Sequence, residues 1–170
     1  MQRMLLTLLD GTTVFIRPIA PEDKPLLSAG LRNLSPETAY RRFLSPKVRF
    51  SADELRYLTE VDGHDHVALV AVRMDDPSRF VAVARYVRLK DDPESAEVAV
   101  TVADHMQGKK IGKQLGVLLA DEARGRGVKR FTAALLAENR PALKLMATMT
   151  DRLESHIDHG VTDVVADLAA

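Results

Sequence analysis

Cysteine is absent from these 170 residues. That excludes a disulfide framework, a thiolate nucleophile and any cysteine-based metal site. Net charge is absent as well, because 24 Lys plus Arg are matched by 24 Asp plus Glu. A general nucleic-acid binder carries a basic excess, and aromatics at 5% are too few for base-stacking platforms. No nucleic-acid partner is therefore expected. No apolar run is long enough to span a bilayer, and the start, MQRMLLTLLDG, is too short in its apolar part for a signal peptide. A cytoplasmic protein without a membrane partner is the expectation. Internal repeats, linkers and low-complexity tracts are missing too. With 46% apolar residues, the chain has an ordinary globular composition and length enough for a substantial core. One domain over residues 1–170 is expected.

The stretch that organises the rest is EVAVTVADHMQGKKIGKQLGVLL, Glu97 to Leu119. Val98, Val100 and Val102 alternate with Glu97, Ala99 and Thr101, a period-two strand. From Ile111 the period changes. Ile111, Leu115, Leu118, Leu119 and Ala123 share one helical face. Between strand and helix sits Gln107-Gly108-Lys109-Lys110-Ile111-Gly112. The first amides of such a helix have no internal acceptor, and its dipole places partial positive charge there. Lys109, Lys110 and Lys113 add full charges. The turn is suited to a phosphate or pyrophosphate.

At these residues the chain resembles the GNAT superfamily of acyl-CoA-dependent N-acyltransferases. Their pyrophosphate loop reads Gln/Arg-x-x-Gly-x-Gly/Ala, after a strand and opening a helix. Gln107 and Gly112 match; Lys110 stands where the family usually has Gly. The resemblance runs from Thr13 to about Asp167. It implies acetyl-CoA as co-substrate, held by Gln107, Gly108, Lys109, Lys110, Ile111, Gly112 and Lys113. It also implies that the strand splays from the next one, so that the pantetheine arm pairs with its backbone near Val100 and Val102. Asn139, in Glu138-Asn139-Arg140-Pro141, matches an Asn often placed beside that arm. The residues themselves also read as a helix N-cap before a proline.

Elsewhere the order of signals is regular. Leu5–Leu9 and Thr13–Arg17 read as a hairpin with a tight Asp10-Gly11 turn. One helix is predicted from Ala20-Pro21-Glu22-Asp23 to about Arg32. Ser35 caps a second helix, which carries Tyr40 and Phe43. Ser51 and Glu54 form a capping box for a third. Strands follow at Val67–Met74 and Phe80–Leu89, with turns at Asp75–Ser78 and Asp91–Glu94. The Ile111–Arg124 helix, a strand over Val128–Leu136, a helix from Pro141 to Thr150 and closing strands at Leu153–Ile157 and Val161–Leu168 complete the chain. The class is α+β. The resemblance implies a mixed, mostly antiparallel sheet flanked by helices, with a βαβ core that binds acyl-CoA.

Acetyl transfer to an amine needs a base, because a lysine amine is mostly protonated at pH 7. It needs donors for the acyl oxygen, and a route for the leaving thiolate. Glu97 is the expected base. It lies one strand-length before the loop, and Ala96-Glu97-Val98-Ala99 is similar to the Ala-Glu-x-Ala step of bacterial protein-lysine acetyltransferases. The alternative is a strand carboxylate paired with Arg85 or Arg88. The Tyr that often serves the family as general acid, on the helix after Asn139, is missing: that segment reads Leu143-Lys144-Leu145-Met146-Ala147-Thr148-Met149. His64-Asp65-His66 lacks a third ligand and reads as a solvated loop; no metal is expected. His105 reads as a surface loop residue. Arg41, Arg42, Lys47 and Arg49 read as a solvated helix face and loop, with contact to an acidic partner surface as the alternative.

The sequence thus points to an acetyl-CoA-dependent N-acetyltransferase working by direct transfer. Its Gly11–Ile19 opening, its Leu34–Phe43 segment and the Ala96-Glu97 step resemble the protein-lysine branch, so a protein lysine is the expected acceptor. In that branch a regulatory module is often fused, and any such regulation is expected to be missing or supplied by another chain. The alternatives are a small-molecule amine as acceptor, or a non-catalytic acyl-CoA-binding module of the same fold. Oligomeric state is not encoded in any motif.

Overall fold

The computed structural model describes residues 3–168; Met1, Gln2, Ala169 and Ala170 lie outside it. The elements follow in the order β1 (Met4–Thr7), β2 (Thr13–Pro18), α1 (Lys24–Arg32), α2 (Pro36–Phe43), α3 (Ala52–Thr59), β3 (His66–Arg73), β4 (Asp76–Arg88) and β5 (Ser95–Val102). Then come α4 (Ile111–Gly125), β6 (Arg130–Leu136), α5 (Arg140–Ala147), β7 (Leu153–Asp158) and β8 (Val161–Asp167). The eight strands form one sheet in the order β1-β2-β3-β4-β5-β6-β8-β7. Only β5 and β6 pair in parallel, as a strand–helix–strand crossover through α4 requires.

The two faces of the sheet are covered by different helices, which is why β3 is buried along nearly its whole length. On one face Ile16, Leu69, Tyr86, Val98 and Phe131 pack with Ile111, Leu115 and Leu119 of α4 and Met146 of α5. Full burial of each such side chain contributes roughly 1.5–3 kcal/mol. On the other face Ile19, Leu27, Val70, Val72 and Phe80 lie under the α1–α3 layer. The alternation of β5 therefore sorts its residues: the valines meet α4, and Glu97, Ala99 and Thr101 face the α1–α3 side.

Several local expectations need correction. The first hairpin has no two-residue turn. β1 ends at Thr7, and Leu8 turns inward to 6% exposure. Its N–H donates to Thr12 O at 2.8 Å, and Gly11, with φ +85°, donates to Leu8 O at 3.0 Å. The segment after Ala20 is a 3-10 turn, Pro21–Asp23, followed by α1. Pro25, without an N–H, is tolerated only in a first helical turn, so the helix restarts there. The β3–β4 turn lies at Met74-Asp75. There Asp75 receives Nε and Nη2 of Arg73 at 2.7 and 2.6 Å. Pro77 falls where the register jumps from Arg73↔Asp76 to Val72↔Phe80, a bulge in which no ladder N–H is required. His66 begins β3 and is buried, so only His64 and Asp65 belong to the solvated loop.

Candidate active site

The parallel pairing of β5 with β6 covers three positions, Ser95↔Arg130, Ala96↔Phe131 and Glu97↔Thr132. Beyond them β5 continues to Val102 against β4, and β6 continues to Leu136 against β8. The two strands diverge. Val98 to Val102 have no partner on the β6 side, and Glu97 stands at the vertex. An unpaired strand edge holds backbone donors and acceptors that a ligand can use. Five residues of strand extend about 16 Å, and this edge leads to the loop before α4.

That loop is built from two left-handed residues. Gly108 has φ +79° and Lys110 φ +66°, ψ 15°. Ordinary negative φ is expected at a helix entry. Lys110 departs from it even as an N-cap: Ser35, Ser51 and Asn139 enter their helices with φ of -62°, -71° and -80°. The kinks turn successive amides toward one side, a concavity of the kind that binds anions. The first helical bond runs from Gln114 N–H to Lys110 O at 3.2 Å. The amides of Ile111, Gly112 and Lys113 therefore lack intrahelical acceptors. Gly112 needs no special φ. A Cβ there would sit 3.4 Å from a methyl of Val102 and 3.8 Å from one of Val100, in ordinary contact with β5.

Two expected loop contacts turn inward to the protein. Lys109 Nζ pairs with Asp10 Oδ2 at 2.7 Å. This hydrogen bond, with one from Thr12 N–H, holds the Asp10 carboxyl well below the usual carboxylate range. Gln107 donates through Nε2 to Val102 O at 3.2 Å and to Thr38 Oγ1 at 3.5 Å, bracing the end of β5. Lys110 and Lys113 remain exposed. Asn139 is the N-cap of α5, its Oδ1 accepting from Ala142 N–H at 3.3 Å.

Glu97 is exposed, and among the described residues it forms no ion pair. The alternative partners are engaged elsewhere. Arg85 donates to Leu58 O at 3.0 Å and to His66 Nε2 at 2.9 Å. Arg88 donates to Asp65 Oδ1 at 2.9 Å and to Arg126 O at 2.8 Å. On the Glu97 face, a cavity of about 70 Å³ lies between α1, α2, β4 and β5. Arg42, Phe43, Arg85, Ala99 and Thr101 are among the residues lining it.

Three residues of this region lie outside the expected site residues. Arg42 belongs to the cavity wall, not to the solvated face with Arg41. Its spacing of three from Ala39, which is 4% exposed, was the available signal. Arg85 reads as one position of a strand. Asp104 reads as loop, yet its carboxylate accepts from Ser35 N–H at 2.8 Å, Ser35 Oγ at 3.1 Å and Thr38 Oγ1 at 2.6 Å. It ties the start of α2 to the turn ahead of the anion loop. His105 is exposed on that turn, and His156 and His159 are exposed at the β7–β8 hairpin. Among the described residues no cluster of three His, Cys, Asp or Glu is arranged to hold a metal, and no helix is long and apolar enough to cross a membrane.

The chain and its fold are matched in known proteins. The Acetyltransferase Pat of Mycolicibacterium smegmatis is 38% identical over 136 residues, 80% of this chain and 40% of that protein. The chain spans about half the length, or less, of the curated relatives it matches. The GNAT domain of S. lividans PAT superposes with a TM-score of 0.86 at 31% identity, over 98% of this chain and 97% of that one. yncA of Salmonella typhimurium, solved with its cofactor acetyl-CoA, shares the fold at a TM-score of 0.70 and 17% identity, over 92% and 96% of the two chains. Residues 31–149 match the acetyltransferase (GNAT) family, and the chain belongs to that family.

Proposed function

We propose that this chain transfers an acetyl group from acetyl-CoA to an amine, and that the acceptor is a protein lysine side chain. The observation that carries this reading is the divergence of β5 from β6 at Glu97. It leaves one edge without a strand partner, a carboxylate at its closed end and an anion-suited helix entry at its open end.

The residues fit acetyl-CoA in three places. The amides of residues 108–113 would hold the pyrophosphate, with Lys110 and Lys113 adding charge. The edge of β5 around Val100 and Val102 would pair with the amide groups of the pantetheine arm, Gln107 Nε2 already holding Val102 O, and Asn139 would border it while capping α5. Bound there, acetyl-CoA supplies an acetyl group already activated as a thioester.

The chain's own groups supply the rest. Glu97 takes a proton from the acceptor ammonium, which frees the nitrogen lone pair for attack on the acyl carbon. Backbone N–H groups of β5 donate to the acyl oxygen as charge builds on it. The thiolate leaves as the C–S bond breaks, and the attacking nitrogen loses its second proton as the amide forms. With no Tyr on α5, the thiolate leaves unaided, that proton going to solvent, or takes up a proton through water; its conjugate thiol is more acidic than an ammonium group. Direct transfer requires no nucleophile on the protein.

The acceptor class rests on the Pat relatives and on the Gly11–Ile19, Leu34–Phe43 and Ala96-Glu97 segments. Acetyl-CoA and a panel of lysine peptides and small amines, with acetylated product read by mass spectrometry, test it. Acetylated peptide is expected. Product on small amines alone would move the acceptor to that class. Acetyl-CoA binding without any product would make the chain a non-catalytic acyl-CoA-binding module, a reading that the missing Tyr and the strained Lys110 favour.

A further inference from the structure

The cavity on the Glu97 face of β5 contains an electrostatic imbalance. Arg85 is 6% exposed, and its hydrogen-bond partners are a carbonyl and the neutral ring of His66. Burial, then the positive charge of Arg85, holds His66 down to about 4. It is therefore uncharged at neutral pH, with Nε2 as an acceptor. Arg42 is half-buried, its guanidinium 4.8 Å from the centre of the Phe43 ring. No hydrogen bond or ion pair within 4.0 Å engages it among the described residues. Glu97 attracts it from farther off.

The two cations line the same cavity. Arg85 is paired in register with Ala99, two residues from Glu97 on one face of β5, and Arg42 reaches the cavity from α2. Burial, then the charge of Arg42, pushes the Arg85 guanidinium down to about 10. Two guanidinium groups withdrawn from water without a carboxylate against them cost stability that apolar residues would not. The rest of the wall is largely apolar, with Leu27, Leu34, Phe43 and Phe50 among it. Such a space suits a short aliphatic chain ending in a monoanion. A carboxylate accepts the planar fork of Arg42 in a two-point contact.

We infer that the cavity lined by Arg42 and Arg85 binds an acidic side chain of the acceptor protein, close in sequence to the lysine that is modified. This rests on the transfer reading given above. The carboxylate would neutralise Arg42, anchor the segment between α2 and β5, and present the neighbouring lysine amine to Glu97. Without it, two positive charges beside the transfer site repel a lysine that arrives protonated.

The test uses single-lysine peptides with Glu, Gln or Lys at each of the two positions on either side of the target. Transfer is measured at saturating acetyl-CoA, and peptide binding is measured separately by calorimetry. For at least one flanking position, KM for the Glu peptide is expected to be about tenfold or more below that for the Gln peptide. The gap should shrink in high salt and collapse toward unity in Arg42→Gln. Arg42→Lys, which keeps the charge but loses the fork, should retain part of it. Equal KM values for Glu and Gln at every position would overturn the inference. So would a preference that survives in Arg42→Gln. If peptides bind with a Glu preference but none is acetylated, the transfer reading fails and the anion site stands.

Discussion

Asp104 accepts a hydrogen bond of 2.6 Å from the hydroxyl of Thr38, across 66 positions of sequence. Ser35 adds its N–H and Oγ to the same carboxylate. The helix that carries Arg42 is thus tied to the turn that leads into the anion loop, so the acceptor side and the cofactor side share one anchor. Burial raises the Asp104 carboxyl, but the hydrogen bonds from Thr38 and Ser35 outweigh it and leave it below its usual value.

Asp104→Ala removes acceptors from three donors that water can reach. The loss is expected at about 1 kcal/mol, or about 2–4 °C in melting temperature for a chain of this size. Thermal unfolding measures it. Because α2 also walls the acceptor cavity, KM for the acceptor should rise as well. An unchanged melting temperature would show that the anchor carries no weight.

A second expectation concerns acid stability. Asp23 is 4% exposed and receives both terminal nitrogens of Arg17, at 2.7 and 2.8 Å, and the N–H of Ala20 at 2.8 Å. Burial alone would raise its carboxyl; these donors overcome burial and lower it. The unfolded chain, near 3.9 for Asp, then binds the proton more readily than the folded one. The contribution is present above the unfolded value and is lost as pH falls through the folded value. Asp23→Asn is expected to cost about 2 kcal/mol at pH 7, a gap that narrows toward pH 3. Denaturant unfolding at both pH values checks it, and a gap independent of pH would contradict it.

Lys110 gives a third. A side chain at φ +66° is held at a cost of roughly 1–2 kcal/mol, partly offset by the greater chain entropy that glycine loses on folding. Lys110→Gly is therefore expected to raise stability by about 0.5 kcal/mol. Acetyl-CoA affinity should fall modestly at low salt and match the parent at high salt, because only a screened charge is removed. Tighter binding at both ionic strengths would mean that Lys110 obstructs the site.

Lys110 also marks where sequence reasoning stops. Period and caps were legible: the Ile111–Ala123 face of α4 and the Ser51–Glu54 capping box are local patterns, and local physics decides them. The backbone angle of Lys110 depends on how the loop meets both strand and helix, and the helical preference of its neighbours pointed the wrong way. Leu8 and Pro25 differ for a similar reason, since burial and a missing N–H decide them rather than turn propensity. Glu97 and the loop stood close together in sequence, so the cofactor side was readable. The acceptor side was not, because Arg42, Arg85 and Asp104 come from α2, β4 and the turn after β5, and each carries an ordinary local signal.

The central claim is that Glu97, at the vertex of the β5–β6 divergence, takes the proton from the acceptor amine. The most direct test is steady-state acetyl transfer to a lysine peptide by Glu97→Gln across pH 7 to 9, with acetyl-CoA affinity measured alongside. Turnover is expected to fall by at least ~10²-fold, the low end for loss of a general base, with affinity for acetyl-CoA nearly unchanged. Turnover close to that of the parent across this range would contradict the account and remove Glu97 from the chemistry.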